Sequence, residues 1–534
     1  MNLKEKENAI RCGHTSLGIE FGSTRIKAVL ISDSHDILAQ SCITWENKLE
    51  NGIWTYSLTD ARENLQKCYA LLKEQTEAFY HIPLTTVGMI GISGMMHGLL
   101  ALDEEDRLVV PFRTWRNTMT KAESEMLTAL FGCTIPQRWS VAHLCQLMRN
   151  DAKNAKRIKR MTTLAGYFHY ILTGEHILGC CEAAGMFPVD GQKDTPTYFS
   201  HMTSAFDMLA HTEGMPWSIT ELLPRVVRAG ERGGCLTSEG AHLLDPTGEL
   251  GAGIPFCPPE GDGGTGMVCT CSLAPGMASI SAGTSAFGLF VLDKPFPRAI
   301  EEIEVTVTPS GFPCAQLHGN NGTSELDAWA DLIASAVKQI TNTDTVDTER
   351  LYEVLLGSAL ENGANCSGIV VYNYLSGEHL TGVPSGRPMY LRTADSTLNL
   401  QSFMRAQLFS VFAPLAHAFT ILRREGVLVK QIRAQGGLFR TKGAAQRVLA
   451  AAFRAPVTVN REAGEGGSFG MALLAAYAKN KADGQTLEDY IGAVFENGTT
   501  VTEEPDEQLT KEYHTFLAQY MNALPLEQQA AKHL

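Results

Sequence analysis

Apolar, small and polar positions recur in nearly the same order twice along this chain. Residues 17–32 (LGIEFGSTRIKAVLIS) and 278–292 (ASISAGTSAFGLFVL) each predict a strand, a tight turn and a second strand. The turns are Gly22-Ser23-Thr24 and Gly283-Thr284-Ser285. A glycine followed by two hydroxyl residues can present backbone N–H groups and hydroxyls to a phosphate without side-chain bulk. Two such hairpins about half a chain apart predict two related domains gripping one polyphosphate.

Elsewhere the period alternates between strand and helix. Helical spacing over 60–80, 120–133, 139–158 and 162–175 accompanies a buried strand at 85–94, followed by a turn-rich stretch at 186–200. GIPFCPPEGDGGTGM (253–267) predicts a strand, a proline-held turn and a glycine-rich helix start. Strands follow at 302–308 and 313–318, and helices at 323–341, 348–361 and 398–425. A strand then runs into a Gly-Gly turn (429–439), ahead of helices over 442–453, 468–480 and 506–530. Alternating strands and helices predict an α/β class. The expected domains are 1–275, 276–484 and a helical extension over 485–534.

Length and charge narrow the partners. At 534 residues the chain exceeds a single core. A net charge of −14 argues against a broad nucleic-acid or anionic-membrane surface, yet permits an anion at a glycine loop. No apolar run reaches the about 18 residues that span a bilayer. Thirteen scattered cysteines and a beginning without an apolar leader point to the cytoplasm. The thiols read as small buried hydrophobes.

Several nucleotide and hydrolase motifs are absent: G-x-x-x-x-G-K-[ST], an early G-x-G-x-x-G, H-E-x-x-H and G-x-S-x-G. GEGGSFG (464–470) lies late in the chain and suits close packing near a nucleotide. Asp262, in EGDGGTG, is the sharpest catalytic candidate. It could accept a proton from a hydroxyl that attacks phosphorus, or could serve as an Asx turn or helix cap. His97, in GMMHGLL, follows a strand end where ligands collect in α/β sheets, although an isolated histidine can equally be structural. Trp115-Arg116-Asn117 offers an aromatic plate and two polar groups for a sugar, or a buried Trp beside a snorkelling Arg.

Together these pieces resemble the FGGY carbohydrate kinases of the actin-like ATPase superfamily, from about residue 16 to 480. GIEFGSTRIK is similar to the family's first phosphate loop, and SGMMHGL to the sugar-contact turn of xylulokinases. TWRN, YILTGE, CEAAGM, LLPRVVRAGERGGCLT, GIPFCPPEGDG, SAGTS, YLSGE and QGGLF follow in the family's order. The resemblance implies two actin-like, ribonuclease H-like domains flanking a catalytic cleft, and ATP-dependent phosphorylation of a ketose such as xylulose or ribulose. It implies Asp262 as general base, and Met96, His97, Trp115, Arg116 and Asn117 at the sugar. Gly22, Ser23, Thr24, Lys27, Gly283, Thr284, Ser285, Gly436, Gly437 and Leu438 would meet the nucleotide. Mg²⁺ would bridge the outer phosphates, with Glu20 as its carboxylate.

Four positions depart from the family pattern. Glu20 replaces an Asp, Gly263 an Asn, Asn117 an acid, and His143 falls near a usual Lys. Polyols, tetroses and sugar acids therefore stand as alternative substrates, and a sensor without turnover as an alternative role. A homodimer is among the assemblies open to the chain.

Overall fold

The computed structural model describes residues 1–361, 365–460, 466–496 and 500–533. Both expected hairpins form. β1 (Thr15–Phe21) and β2 (Arg25–Ser32) pair antiparallel with Glu20 opposite Lys27. β3 (Ile37–Thr44) continues one side, while β4 (Met89–Gly94) and the short β5 (Glu260–Gly261) add parallel on the other, giving the order β5-β4-β1-β2-β3. Strand pleating sends alternate β1 residues to opposite faces. Leu17, Ile19 and Phe21 join a core with Leu65, Tyr69 and Leu72 of the helix Leu58–Tyr80. Gly18 faces the helix Gly467–Asn480, where a Cβ would lie 2.1 Å from Ser468 O and 2.4 Å from Ala472 N. Strand and helix therefore meet at backbone contact, which only glycine permits.

Two compact units divide the chain differently from the boundaries expected at 275 and 484. Unit 1 comprises Met1–Leu273, Asp293–Cys314 and Gly464–Asn497; unit 2 comprises Ala274–Leu292, Ala315–Ala463 and Gly498–Leu534. The first crossing lies beside residue 275, but two later segments return. Asp293–Cys314 is tied into unit 1 by Thr134 Oγ1 donating to Ile300 O at 2.8 Å and by backbone contact between Gly191 and Gly311. The helix Gly467–Asn480 returns because β1 is shaped to receive it. The expected tail also divides. Glu488 accepts from Ser310 Oγ at 2.5 Å in unit 1, whereas the helix Glu507–His533 buries Tyr513 and Tyr520 in unit 2.

Unit 2 repeats the first grammar. β6 (Met277–Ala282) and β7 (Ala286–Val291) form the second hairpin. Within unit 2, β8 (Pro313–Gly319), β9 (Gln431–Gln435), β10 (Val457–Asn460) and β11 (Thr500–Glu503) join the hairpin in the order β8-β7-β6-β9-β10-β11, part of a seven-stranded sheet. β6 and β9 are parallel, with Ser281 beside Gln435. Phe290 of β7 stacks on Phe419 of the helix Leu400–Arg424 at 5.2 Å between ring centroids.

Some local expectations need correction. The helix expected over 139–158 breaks at Asp151, whose φ of −146° ends Ser140–Asn150 and whose carboxylate caps Ala152–Ala155. The strand expected in GIPFC shrinks to isolated bridges, and ordered pairing starts only at Glu260. An unexpected helix, Leu3–Cys12, begins with a capping box between Asn2 and Glu5. Among the described residues, no helix is long and apolar enough to cross a membrane.

Candidate active site

Parallel register assembles the first cluster of candidate residues. Glu20 and Glu260 each lie beside Ser93, so the C-terminal ends of β1, β4 and β5 deliver Glu20, Met96-His97 and Asp262 to one sheet edge. That edge is the usual ligand side of an α/β sheet. Asp262 is the first residue of the helix Asp262–Cys269, with Gly261 in the cap position. Its Oδ1 accepts from Gly263 N at 2.9 Å. The side chain is exposed, yet the crowding around it withdraws water and raises its carboxyl pKa to about 6, against the backbone N–H groups of Gly263 and Met96.

Glu20 is half-buried, and its pKa rises to about 7 through burial first and the Asp262 charge second. Lys27 across the hairpin and Ser468 N, donating to Oε2 at 3.2 Å, oppose the rise. The Gly22-Ser23-Thr24 turn is held from below. Gly22 N donates to Arg25 O at 2.9 Å, Trp45 Nε1 to Gly22 O at 2.7 Å, and Tyr56 Oη to Ser23 O at 2.7 Å. Of GEGGSFG, Gly464 and Glu465 lie outside the described residues, while Gly466 and Gly467 stand beside Lys27 and Glu20 respectively.

Two buried acids stand behind Asp262. Glu260 Oε2 accepts from Glu182 N at 3.1 Å, and burial pushes the Glu260 carboxyl to about 8. Burial also holds Glu182 well above the usual carboxylate range. A Cβ on Gly261 would lie 2.5 Å from Glu182 Oε2, so this carboxyl packs against the backbone carrying Asp262. Only the adjacency of Glu260 and Asp262 in PPEGDG signalled this cluster.

The Met-His-Gly turn is strained. His97 adopts φ 72°, a conformation that costs a non-glycine residue roughly 1 kcal/mol or more. Its Nδ1 donates to Gly185 O at 3.2 Å, and its Nε2 lies 3.8 Å from Glu304 Oε1. Burial first, then Arg138, lowers its pKa to about 4. Met96 is buried beside it, and a Cβ on Gly261 would lie 2.3 Å from Met96 Cγ. Glu304 also accepts from Trp139 Nε1 at 2.5 Å and pairs with Arg138. Glu304 escaped the sequence reading, which took 302–308 as a strand and gave none of its residues a role. His143 is fully buried, with both ring nitrogens lacking a hydrogen-bond partner among the described residues.

TWRN divides into different environments. Asn117 is buried and its amide is occupied by backbone: Trp54 N donates to its Oδ1 at 2.9 Å, while its Nδ2 donates to Trp54 O at 2.8 Å and Thr114 O at 3.0 Å. Arg116 lies 3.9 Å over the Trp54 ring and bonds Asn47. Trp115 is exposed. In this loop Asn117 and Arg116 brace the strand Ile53–Thr55.

A second cluster of candidate residues lies wholly in unit 2. Gly283-Thr284-Ser285 closes with Gly283 N donating to Ser285 O at 2.9 Å. Thr323 N and Gly322 N bond the turn's carbonyls at 2.7 and 2.8 Å. Gly436 has φ 107°, and a Cβ there would lie 2.3 Å from Ala282 O, so the Gly436-Gly437 turn abuts this hairpin. Gly436 and Gly437 are exposed, whereas Leu438 is buried and anchors the turn. A cavity of about 220 Å³ opens here, lined by residues including Thr284, Ser285, Asn321, Gly322, Asn373 and Ser376. The Asn373 amide oxygen is buried without a hydrogen-bond partner among the described residues.

Comparison with known proteins gives a consistent picture. The N-terminal and C-terminal domain models of the FGGY family of carbohydrate kinases match residues 15–269 and 278–479. A xylulose kinase from Haemophilus influenzae is 23% identical, covering 95% of this chain and 99% of its own. A gluconokinase from Bacillus subtilis is also 23% identical, covering 95% and 94%. The crystal structure of a xylulose kinase from Rhodospirillum rubrum shares the fold with a TM-score of 0.75 at 18% identity, over 96% of this chain and 99% of that one.

Proposed function

This chain belongs to the FGGY family of carbohydrate kinases, and from that premise we propose that it transfers the terminal phosphoryl group of ATP to a hydroxyl of a ketose such as xylulose or ribulose. Asp262 accepts the hydroxyl proton as the sugar oxygen bonds to phosphorus and the bond to the ADP oxygen breaks. Its raised pKa of about 6 supports this role, because a base is most useful near working pH. Lys27 and the donors of the Gly22-Ser23-Thr24 turn offset phosphate charge. Thr284, Ser285 and the Gly436-Gly437 turn hold the nucleotide. Met96 and His97 contact the sugar.

The residues present also fit Mg²⁺. Glu20 is a hard oxygen donor whose charge is disfavoured by burial and by Asp262, so a cation beside it relieves both. Bound there, the ion would neutralise charge on the phosphates. Neutral ketoses lead the substrate reading; the B. subtilis relative's name makes a sugar acid the chief rival.

The observation that carries the proposal is the convergence of Asp262, Glu20 and His97 on one sheet edge. Asp262→Ala should lower kcat by about 10²–10⁴-fold, the usual worth of a general base, with nucleotide binding retained in a calorimetric titration. Unchanged turnover would overturn the assignment.

A further inference from the structure

The five-residue helix Cys180–Ala184 lies behind Asp262 in unit 1. It follows the short strand Ile177–Gly179, which pairs parallel with Arg225–Val227. Both of its ends are fixed. At the first, Glu260 Oε2 accepts from Glu182 N at 3.1 Å, and the N–H groups of Cys180 and Cys181 also favour the Glu260 charge. At the other, Gly185 O accepts from His97 Nδ1 at 3.2 Å, and Met186 O from Val141 N at 3.1 Å. Between these anchors two side chains press on the helix that begins with Asp262. A Cβ on Gly264 would lie 3.0 Å from Cys181 Sγ, and one on Gly261 would lie 2.5 Å from Glu182 Oε2. Gly261 immediately precedes Asp262, so the Glu182 carboxyl bears on the peptide that carries the base.

We propose that Glu182 is a positioning residue for Asp262, filling the space behind Gly261 and setting the reach of the base toward the sugar hydroxyl. It acts through its length and shape, not as a donor or acceptor of the transferred proton. Glu182 is fully buried, with the Thr163 hydroxyl, Asp262 and Glu260 as its polar neighbours. Burial and the two acids favour its protonated form, so it adds bulk without a charge that would oppose the Asp262 carboxylate. Reach matters because a displacement of about 1 Å at a reacting group can cost 10²-fold in rate. The inference rests on the kinase reading above and adds to it a residue buried away from the substrate.

The test is ADP release with ATP, Mg²⁺ and the acceptor that wild type turns over fastest among ketoses, polyols and sugar acids, alongside urea unfolding. Glu182→Ala removes the carboxyl, and Glu182→Asp draws it back by one methylene. Each should lower kcat by about 10-fold or more while KM for ATP moves by less than about 3-fold. Glu182→Gln keeps length and shape as a neutral amide, and should recover most of the lost kcat. In an Asp262→Ala background the same substitutions should cost less than about 2-fold further, since a base already removed cannot be displaced. Wild-type kcat in both Glu182→Ala and Glu182→Asp overturns the inference. So does an equal loss in the two backgrounds, which is the mark of a merely structural role. An active Glu182→Asp beside an inactive Glu182→Gln overturns it too, because acidity would then matter and reach would not. If Glu182→Ala does not fold, Glu182→Asp and Glu182→Gln decide. Absence of ADP with any sugar removes the kinase reading and this inference together. A rate lost in Asp262→Ala but kept in the Glu182 variants removes this inference alone.

Discussion

Asp262 combines exposure with an environment that disfavours its charge. The raised pKa makes an acid limb in the rate the expected signature. Below about 6 the carboxylate is protonated in the folded protein and cannot accept a proton, so activity falls as pH falls. A pH profile of kcat/KM checks this; a rate flat from pH 5 to 8 contradicts it. Asp262 stood out as a candidate because glycines flank it after a rigid Pro-Pro lead, with a helix cap open beside the base reading until the family resemblance favoured the base. Glu304 did not, because its meaning comes entirely from residues far away in sequence: His97, Arg138 and Trp139. Asn117 shows the opposite case. A polar residue after a tryptophan suits a sugar, but burial and backbone partners occupy its amide.

Among the elements, the two hairpins carry the most information. Their Gly-hydroxyl turns were readable because turn chemistry is local. Their support was not: the first turn leans on Trp45 and Tyr56, and the second on Gly322 and Thr323. Helix existence was readable from periodicity, but the break at Asp151 depended on a cap that competes with continuation. Contact between β1 and the helix Gly467–Asn480 was also invisible, because Gly18 looks like any strand glycine. Its role gives a sharp expectation. Gly18→Val inserts atoms where even a Cβ would lie 2.1 Å from Ser468 O, so sheet and helix must separate. A loss of about 1–3 kcal/mol or more is expected in urea unfolding, the cost of overpacking a tight core. Wild-type stability in that variant would contradict this packing.

For the whole molecule, each compact unit is built from discontinuous pieces of chain. Unit 1 needs the helix Gly467–Asn480 and the strand residues near Glu304 as much as its first 273 residues. The compact units exchange later segments because sequence records neighbours along the chain, whereas a compact unit is closed by contacts across it. The twin hairpins nonetheless put one Gly-hydroxyl turn in each unit, and unit 1 adds the acid edge with Asp262. On the proposed reading, the turns meet phosphate and Asp262 meets the sugar hydroxyl. The most direct measurement is coupled ADP release from wild type and Asp262→Ala with ATP, Mg²⁺ and a panel of ketoses, polyols and sugar acids. Stimulation by a neutral ketose in wild type, lost in the variant, is the expected result. No stimulation by any member, or equal stimulation in both proteins, would contradict it.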